Sequence, residues 1–469
     1  MRGLFATSQR LLPAALACTA AAFALAAAPA GAALKVTWMP GYPAAGTPAR
    51  YDKVGVIKVG SPSARNVLVL EPGTSAAAAY FVPFAQWVTA AAPGWQVWAV
   101  QRRESLLEDQ SDVNLAKEHR VDATQLFDYY LGFLNNPQIR RHFKFIPDSS
   151  VEFAKGWGMN VAVQDLRRVI AAARRLGGKV VLGGHSLGGS VVTAYATWDF
   201  GGRAGADGLA GLVYDDGGSL EAVSAQRAGA ELRTLDAAGT TPWLSFGGIG
   251  APFAGIFNTT GALGVLMAPN APSLGQQFPL LPAVLKPSIP VTNEAQYGYA
   301  LNAATSPPSL FAAQAHLGRG ISSHTIAGHH TWDGTGALTP ITRFARMFAG
   351  TGILGADGTE WYFPQRLTDD TGAVGNGLPN AAQGVLGVHS TLGRHLPHGL
   401  LIYAISTALG GQRVLLDARA LAAQSRIPLS QLTLVNRQAS YSHNDPVGAY
   451  PHNAFFSTLI PFLAKIAGT

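Results

Sequence analysis

Gly184-His185-Ser186-Leu187-Gly188 places a serine between two glycines, with small residues on either side. A serine hydroxyl attacks carbonyl carbon only if a base takes its proton and the chain lifts it clear of its neighbours. The G-x-S-x-G spacing suits that task, because a sharp strand-to-helix turn needs small flanks. Alone the pattern is weak in a chain with 54 glycines among 469 residues. Its surroundings add what the chemistry requires: the apolar strand Val180-Val181-Leu182-Gly183 comes directly before it, and a helix carrying Val191, Val192, Ala194, Tyr195 and Trp198 follows. Ala271-Pro272-Ser273-Leu274-Gly275 imitates the motif, but no strand precedes it and prolines crowd it, so it reads as loop. His324, His329, His330 and Asp333 have metal-ligand side chains at no metal-site spacing and read as loop or packing residues.

The elements around the serine follow an α/β pattern. Short β-branched or aromatic runs at 54–59, 66–70, 95–100, 179–183, 209–214, 399–405 and 431–435 alternate with amphipathic stretches of helical length. Such alternation predicts a mostly parallel sheet with crossover helices on both faces. Helices are expected over 75–92, 161–176 and 453–466, the second ended by Gly177-Gly178. Residues 105–155 read as a helical excursion. A large inserted cap is expected over 219–397, between core segments 33–218 and 398–469. Within it 49 consecutive residues, Ala237 to Leu285, carry no charge, while six prolines forbid one long membrane helix. Trp361, Tyr362 and Phe363 read as cap packing.

Strand, elbow, helix and the preceding helix together resemble the α/β-hydrolase fold family, over roughly residues 50–220 and 395–469. The resemblance implies an order of nucleophile, acid and histidine along the chain. It points to Ser186 as nucleophile and to a histidine after the last strand, where His443 in Ser442-His443-Asn444-Asp445-Pro446 is preferred to His452. The acid is expected at Asp216, ahead of Asp215 and of Asp417. The family's commoner position, after the strand 400–405, holds Ser406-Thr407-Ala408-Leu409-Gly410-Gly411 and no carboxylate. The implied oxyanion donors are the backbone N–H groups of Leu187 and Thr74. Glu71-Pro72-Gly73-Thr74 replaces the family's usual His-Gly there.

Composition limits the remaining classes. With 48% apolar and 13% charged residues the chain reads as a packed globule, and no basic run tracks phosphates. The formal charge is +7, and Arg2 and Arg10 of the N-terminal leader account for two of it. Those arginines precede an uncharged Ala/Leu-rich run that ends in Ala30-Gly31-Ala32. This is the layout of a signal peptide over 1–32, preferred to a retained anchor or to lipidation at Cys18. Cys18 is the one cysteine, so no disulfide or cysteine-ligated metal is expected after cleavage. The sequence therefore predicts an exported serine esterase or lipase-type enzyme without cofactor or metal. Its substrate is expected to be a small ester with an apolar part, and its nearly charge-free cap suits contact with lipid or apolar surfaces. Neither nucleic acid nor an obligate protein partner is expected. Acyl transfer, amide cleavage or a lyase reaction on the same residues is the alternative chemistry, and a non-catalytic exported binding protein the alternative class.

Overall fold

The computed structural model describes residues 34–219 and 221–468, so the expected leader and its cleavage point lie outside the described residues. In chain order the strands are β1 (Leu34–Pro40), β2 (Lys53–Val59), β3 (Asn66–Glu71), β4 (Trp95–Gln101), β5 (Val180–His185), β6 (Gly211–Asp215), β7 (Ser245–Phe246), β8 (Ile249–Gly250), β9 (Gly320–Ile326), β10 (His329–Asp333), β11 (Ile353–Leu354), β12 (Leu401–Ser406) and β13 (Leu432–Asn436). Nine of them form one sheet in the order β11-β1-β2-β4-β3-β5-β6-β12-β13. Strand β2 runs antiparallel to both its neighbours, and every other pairing in this sheet is parallel. Each expected strand is present.

Alternation along the strands feeds two separate cores. On β3, Leu68 and Leu70 pack with the layer that includes Val88 of the helix Val82–Ala91 and Leu459 of the helix Ala454–Ala467. Val67 and Val69 face the other way, toward Leu166 of Met159–Arg174, Val191 of Leu187–Thr197 and Leu421 of Gly411–Gln424. Burial on both faces explains why these strands read as continuous apolar runs. The parallel strands end together, so the loops after β3, β5, β6 and β12 share one edge of the sheet, where α/β folds place their sites.

Two differences from the sequence reading have local causes. The helix expected from Ser75 starts only at Val82, after a 3-10 turn at Ala78–Phe81. Ser75 is held at φ 50° and Ala77 is extended, because Ala77 N donates to Gly358 O and Glu360 N donates to Ser75 O. The helix expected from Val161 starts earlier, at Met159, whose N–H donates to the buried Asp370 carboxylate at 2.8 Å.

The 219–397 segment reaches into the core as well as over it. Strand β11 pairs with β1 at the sheet edge. The uncharged run supplies the helix Ala251–Met267, which packs Gly255 on Trp361 and joins Thr259 to Thr359 at 2.6 Å. Among the described residues no helix is long and apolar enough to cross a membrane. Trp361, Tyr362 and Phe363 are buried, and the Trp361 indole donates to Asp357 at 3.1 Å. Ser273 of the second serine motif caps the short helix Leu274–Gln277.

Candidate active site

Ser186 lies between β5 and the helix Leu187–Thr197 at φ 57° and ψ −127°, a conformation unfavourable for any L-residue. Neighbouring backbone holds it there. Ser186 N donates to Asp215 O at 2.9 Å, tying the turn to β6. A Cβ at Gly184 would overlap Gly188 O, one at Gly188 would overlap Glu71 O, and one at Gly217 would overlap Ser186 O. The small residues are therefore demanded by close backbone approach on three sides. Ser186 Oγ makes no hydrogen bond among the described residues and borders a cavity of about 290 Å³.

His443 follows β13 and is buried with 1% exposure; its Nδ1 lies 2.6 Å from Asp216 Oδ2. Its Nε2 is buried and without a partner among the described residues, on a ring that also borders the cavity. Asp216, at φ 45°, accepts from Thr407 N at 2.6 Å, from the Thr407 hydroxyl and from Gly410 N at 3.3 Å. Burial pushes its pKa up, but the bonds from His443 and Thr407 outweigh burial and hold the carboxyl below its ordinary range. The loop after β12, which carries no acid, thus supplies donors to the acid after β6.

Asp215 is placed quite differently. As the last residue of β6 it is 2% exposed, and both carboxyl oxygens lack partners among the described residues. Burial, then the charge of Asp216, pushes its pKa well above the ordinary value and favours the protonated acid. Asp417 lies on Gly411–Gln424 against Gly218, away from His443. His452 is exposed, one residue before the Asn453 cap of the last helix. His329 and His330 sit in the β9–β10 hairpin, bonded through Nδ1 to Ala327 O and Ser322 O.

Two backbone donors flank the serine, one next to it in the chain and one next to Gly73. Leu187 N, in the first turn of its helix, and Thr74 N donate to no described residue. Gly73 brings the Thr74 loop against the serine: a Cβ there would stand 2.7 Å from Ser186 Cβ. A negative oxygen beside Ser186 would lie at the positive end of the helix Leu187–Thr197. The rest of the cavity wall is largely apolar and comes from the insert, with Phe246, Phe253, Phe257, Leu274, Leu281 and Leu285. Trp243, from the same uncharged run, does not line the cavity but is buried against Tyr362 at 5.1 Å.

The sheet order, the crossover helices and the strained serine after β5 decide the architecture. The chain has the α/β-hydrolase fold. No protein-family model matches the sequence, and no curated protein matches it. Solved structures similar to it over most of their length include a soluble variant of monoglyceride lipase from Saccharomyces cerevisiae (10% identity, 94% of this chain and 98% of that one, TM-score 0.38). A carboxylesterase of the thaumarchaeon Nitrososphaera gargenis (13%, 92% and 99%, 0.37) and a lipase in its open form (15%, 93% and 100%, 0.38) are similar at the same level. All these likenesses are distant.

Three supporting residues of the candidate site escaped the sequence reading. His185 donates from Nε2 to His443 O at 3.0 Å and packs its ring 4.4 Å from that of His443. Burial and the neighbouring His443 pull its pKa down to about 3, so it remains neutral there. Tyr80 donates to Asn444 Oδ1 at 2.8 Å, fixing the same loop from the helical side. Arg102 lies under the Thr74 loop. A signal for it existed: Glu71 ends an apolar strand, and a buried acid calls for a cation on the adjoining strand.

The two aspartates should separate by substitution. Asp216→Asn is expected to lower turnover by about 10⁴-fold, because it removes the acceptor that fixes the His443 tautomer. Asp215→Asn is expected to change turnover little; equal small losses in both would move the acid elsewhere. Stability gives a second readout. A folded pKa above the unfolded value of about 3.9 adds stability below that pH and loses it as pH rises. Asp215→Asn should therefore gain in Tm relative to wild type as pH rises above about 4.

Proposed function

We propose that this protein is an exported serine hydrolase that cleaves carboxylic esters with an apolar acyl or alcohol group. One observation carries the reading: Ser186, His443 and Thr74 line one cavity whose wall is largely apolar, and His443 Nε2, Thr74 N and Leu187 N have no partner among the described residues. In the proposed reaction Ser186 Oγ bonds to the ester carbonyl carbon while its proton passes to His443 Nε2. The carbonyl π pair moves to oxygen, where Leu187 N–H and Thr74 N–H receive it. Collapse breaks the bond to the alcohol oxygen, which leaves with the proton from His443. Water, deprotonated by the same imidazole, then bonds to the acyl carbon, and the acyl–Oγ bond breaks as Ser186 Oγ takes the proton from His443, releasing the acid. Asp216 remains ionised throughout, orienting Nδ1 and stabilising the imidazolium.

Export belongs to the same proposal and rests on the leader up to Ala32. The apolar preference rests on the wall. A polar substituent buried against Phe253, Phe257 and Leu281 would lose water without gaining a partner. The wall aromatics also support each other, with Phe253 stacked on Phe257 at 6.2 Å and on Phe278 at 6.3 Å.

Kinetics on a panel of p-nitrophenyl esters tests the reading. Ser186→Ala and His443→Ala should each abolish turnover with Tm nearly unchanged, and the double variant should lose no more, because the two act as a unit. Substantial activity in folded His443→Ala would move the base elsewhere. In wild type, each added methylene that is buried should gain up to about 0.8 kcal/mol, roughly fourfold in kcat/KM, until the cavity is full. Phe253→Ala and Phe257→Ala should lower kcat/KM on long esters more than on acetate. A flat chain-length profile in active enzyme would remove the apolar preference; equal loss on all esters with lowered Tm would make these rings structural.

A further inference from the structure

Arg102, directly after β4, is 5% exposed, and its guanidinium has an acceptor for every N–H. Nε donates to Glu360 Oε2 at 2.9 Å, and Nη1 donates to Glu71 Oε1 at 2.8 Å and to Pro72 O at 2.9 Å. Nη2 donates to Gly73 O at 2.8 Å and to Ala76 O at 3.0 Å. Three of these acceptors are main-chain carbonyls of the single loop that carries Thr74. We infer that Arg102 is the positioning residue of the oxyanion site, holding the carbonyls of Pro72, Gly73 and Ala76 so that Thr74 N–H faces the oxygen that becomes negative when Ser186 attacks. This inference rests on the ester-hydrolase reading above.

Peptide geometry makes the connection. In a trans peptide the C=O of one residue and the N–H of the next point in opposite directions. With Gly73 O drawn to the guanidinium, Thr74 N–H points away from it, and on the far side of this loop stands Ser186, against which Gly73 packs. If the Gly73–Thr74 peptide turned over, it would present a carbonyl dipole to the reacting oxygen and repel it. The fork of Arg102 opposes that rotation by gripping the loop at three carbonyls, which a lysine ammonium cannot do in the same geometry.

The guanidinium needs buried counter-charges, and the chain supplies them from two distant segments. Glu71 comes from the end of β3 and Glu360 from the insert, at 2.8 Å each. The insert also bonds the loop directly, through Glu360 N to Ser75 O at 2.9 Å and Gly358 O to Ala77 N at 3.0 Å. Burial pushes the pKa values of Glu71 and Glu360 up to about 7, and Arg102 acts in the opposite direction on both. The insert is thereby wired to the oxyanion loop as well as to the cavity wall.

The test compares wild type with Arg102→Lys, Arg102→Met and the charge-neutral Arg102→Met/Glu71→Gln/Glu360→Gln, with Glu104→Gln as a neighbour that bonds none of the loop carbonyls. Each is measured for Tm, for kcat and KM on p-nitrophenyl butyrate, and for inhibition by an alkyl trifluoromethyl ketone, which forms a tetrahedral oxyanion on the serine. The matching methyl ketone, bound without the adduct, reports ground-state affinity. Positioning predicts that the three Arg102 variants lose up to ~100-fold in kcat, with KM and methyl ketone affinity within about threefold. Trifluoromethyl ketone affinity should fall in parallel with kcat, and Glu104→Gln should retain both. Should Arg102→Met not fold, Arg102→Lys and the charge-neutral variant decide. Folded Arg102 variants that keep kcat and the ratio of the two ketone affinities within about threefold of wild type overturn the inference, even if Tm falls. A folded wild type that neither cleaves esters nor binds the trifluoromethyl ketone overturns the hydrolase reading instead, and the inference with it.

Discussion

The site depends on one backbone conformation, that of Ser186 at positive φ between β5 and its helix. Such a residue costs of order 1–3 kcal/mol and persists only where its surroundings leave no alternative. Here the main chains of β3, β6 and the following helix close on the turn so tightly that Gly184, Gly188 and Gly217 have no room for a Cβ. The same closeness puts the Thr74 loop beside the serine. The strain, the position of Ser186 and that of the proposed oxyanion loop are consequences of one packing arrangement.

The electrostatics divide two adjacent carboxyl groups. Asp216 receives bonds from His443, Thr407 and Gly410, enough to keep its charge under burial. Asp215 has no side-chain partner among the described residues, and burial beside Asp216 favours its proton. A single step along the chain separates a group suited to stabilising an imidazolium from one that is not. A further buried ion cluster, Glu71, Arg102 and Glu360, lies beneath the Thr74 loop and joins it to the insert.

How much of this was legible in the sequence follows from the range of each signal. Strands such as Val67 to Leu70 and the elbow are local, encoded by apolar runs and glycine spacing. Asp216 could be ranked over Asp215 because strand alternation turns neighbouring side chains to opposite faces. His443 was reachable through chain order once the elbow was found. The two-residue β11 was missed, since its pairing depends on a partner some 300 residues away, and β1, which pairs mainly with the nearby β2, was missed because it directly follows the apolar leader. The late start of the helix at Val82 is set by bonds from Gly358 and Glu360, and Arg102 is set by an acid on another strand; neither leaves a periodic trace. An uncharged run does not tell a pocket wall, such as Phe253, from a packed interior, such as Trp243.

The central claim is that Ser186 is a nucleophile activated by His443 and Asp216. The most direct measurement is mass spectrometry of peptides after treatment of the folded protein with an alkyl fluorophosphonate at neutral pH. The account predicts a single phosphonyl adduct on the peptide containing Ser186. It predicts none there in Ser186→Ala and greatly slowed formation in His443→Ala and Asp216→Asn. A folded wild type that remains unlabelled, or an adduct on a different serine, would contradict it.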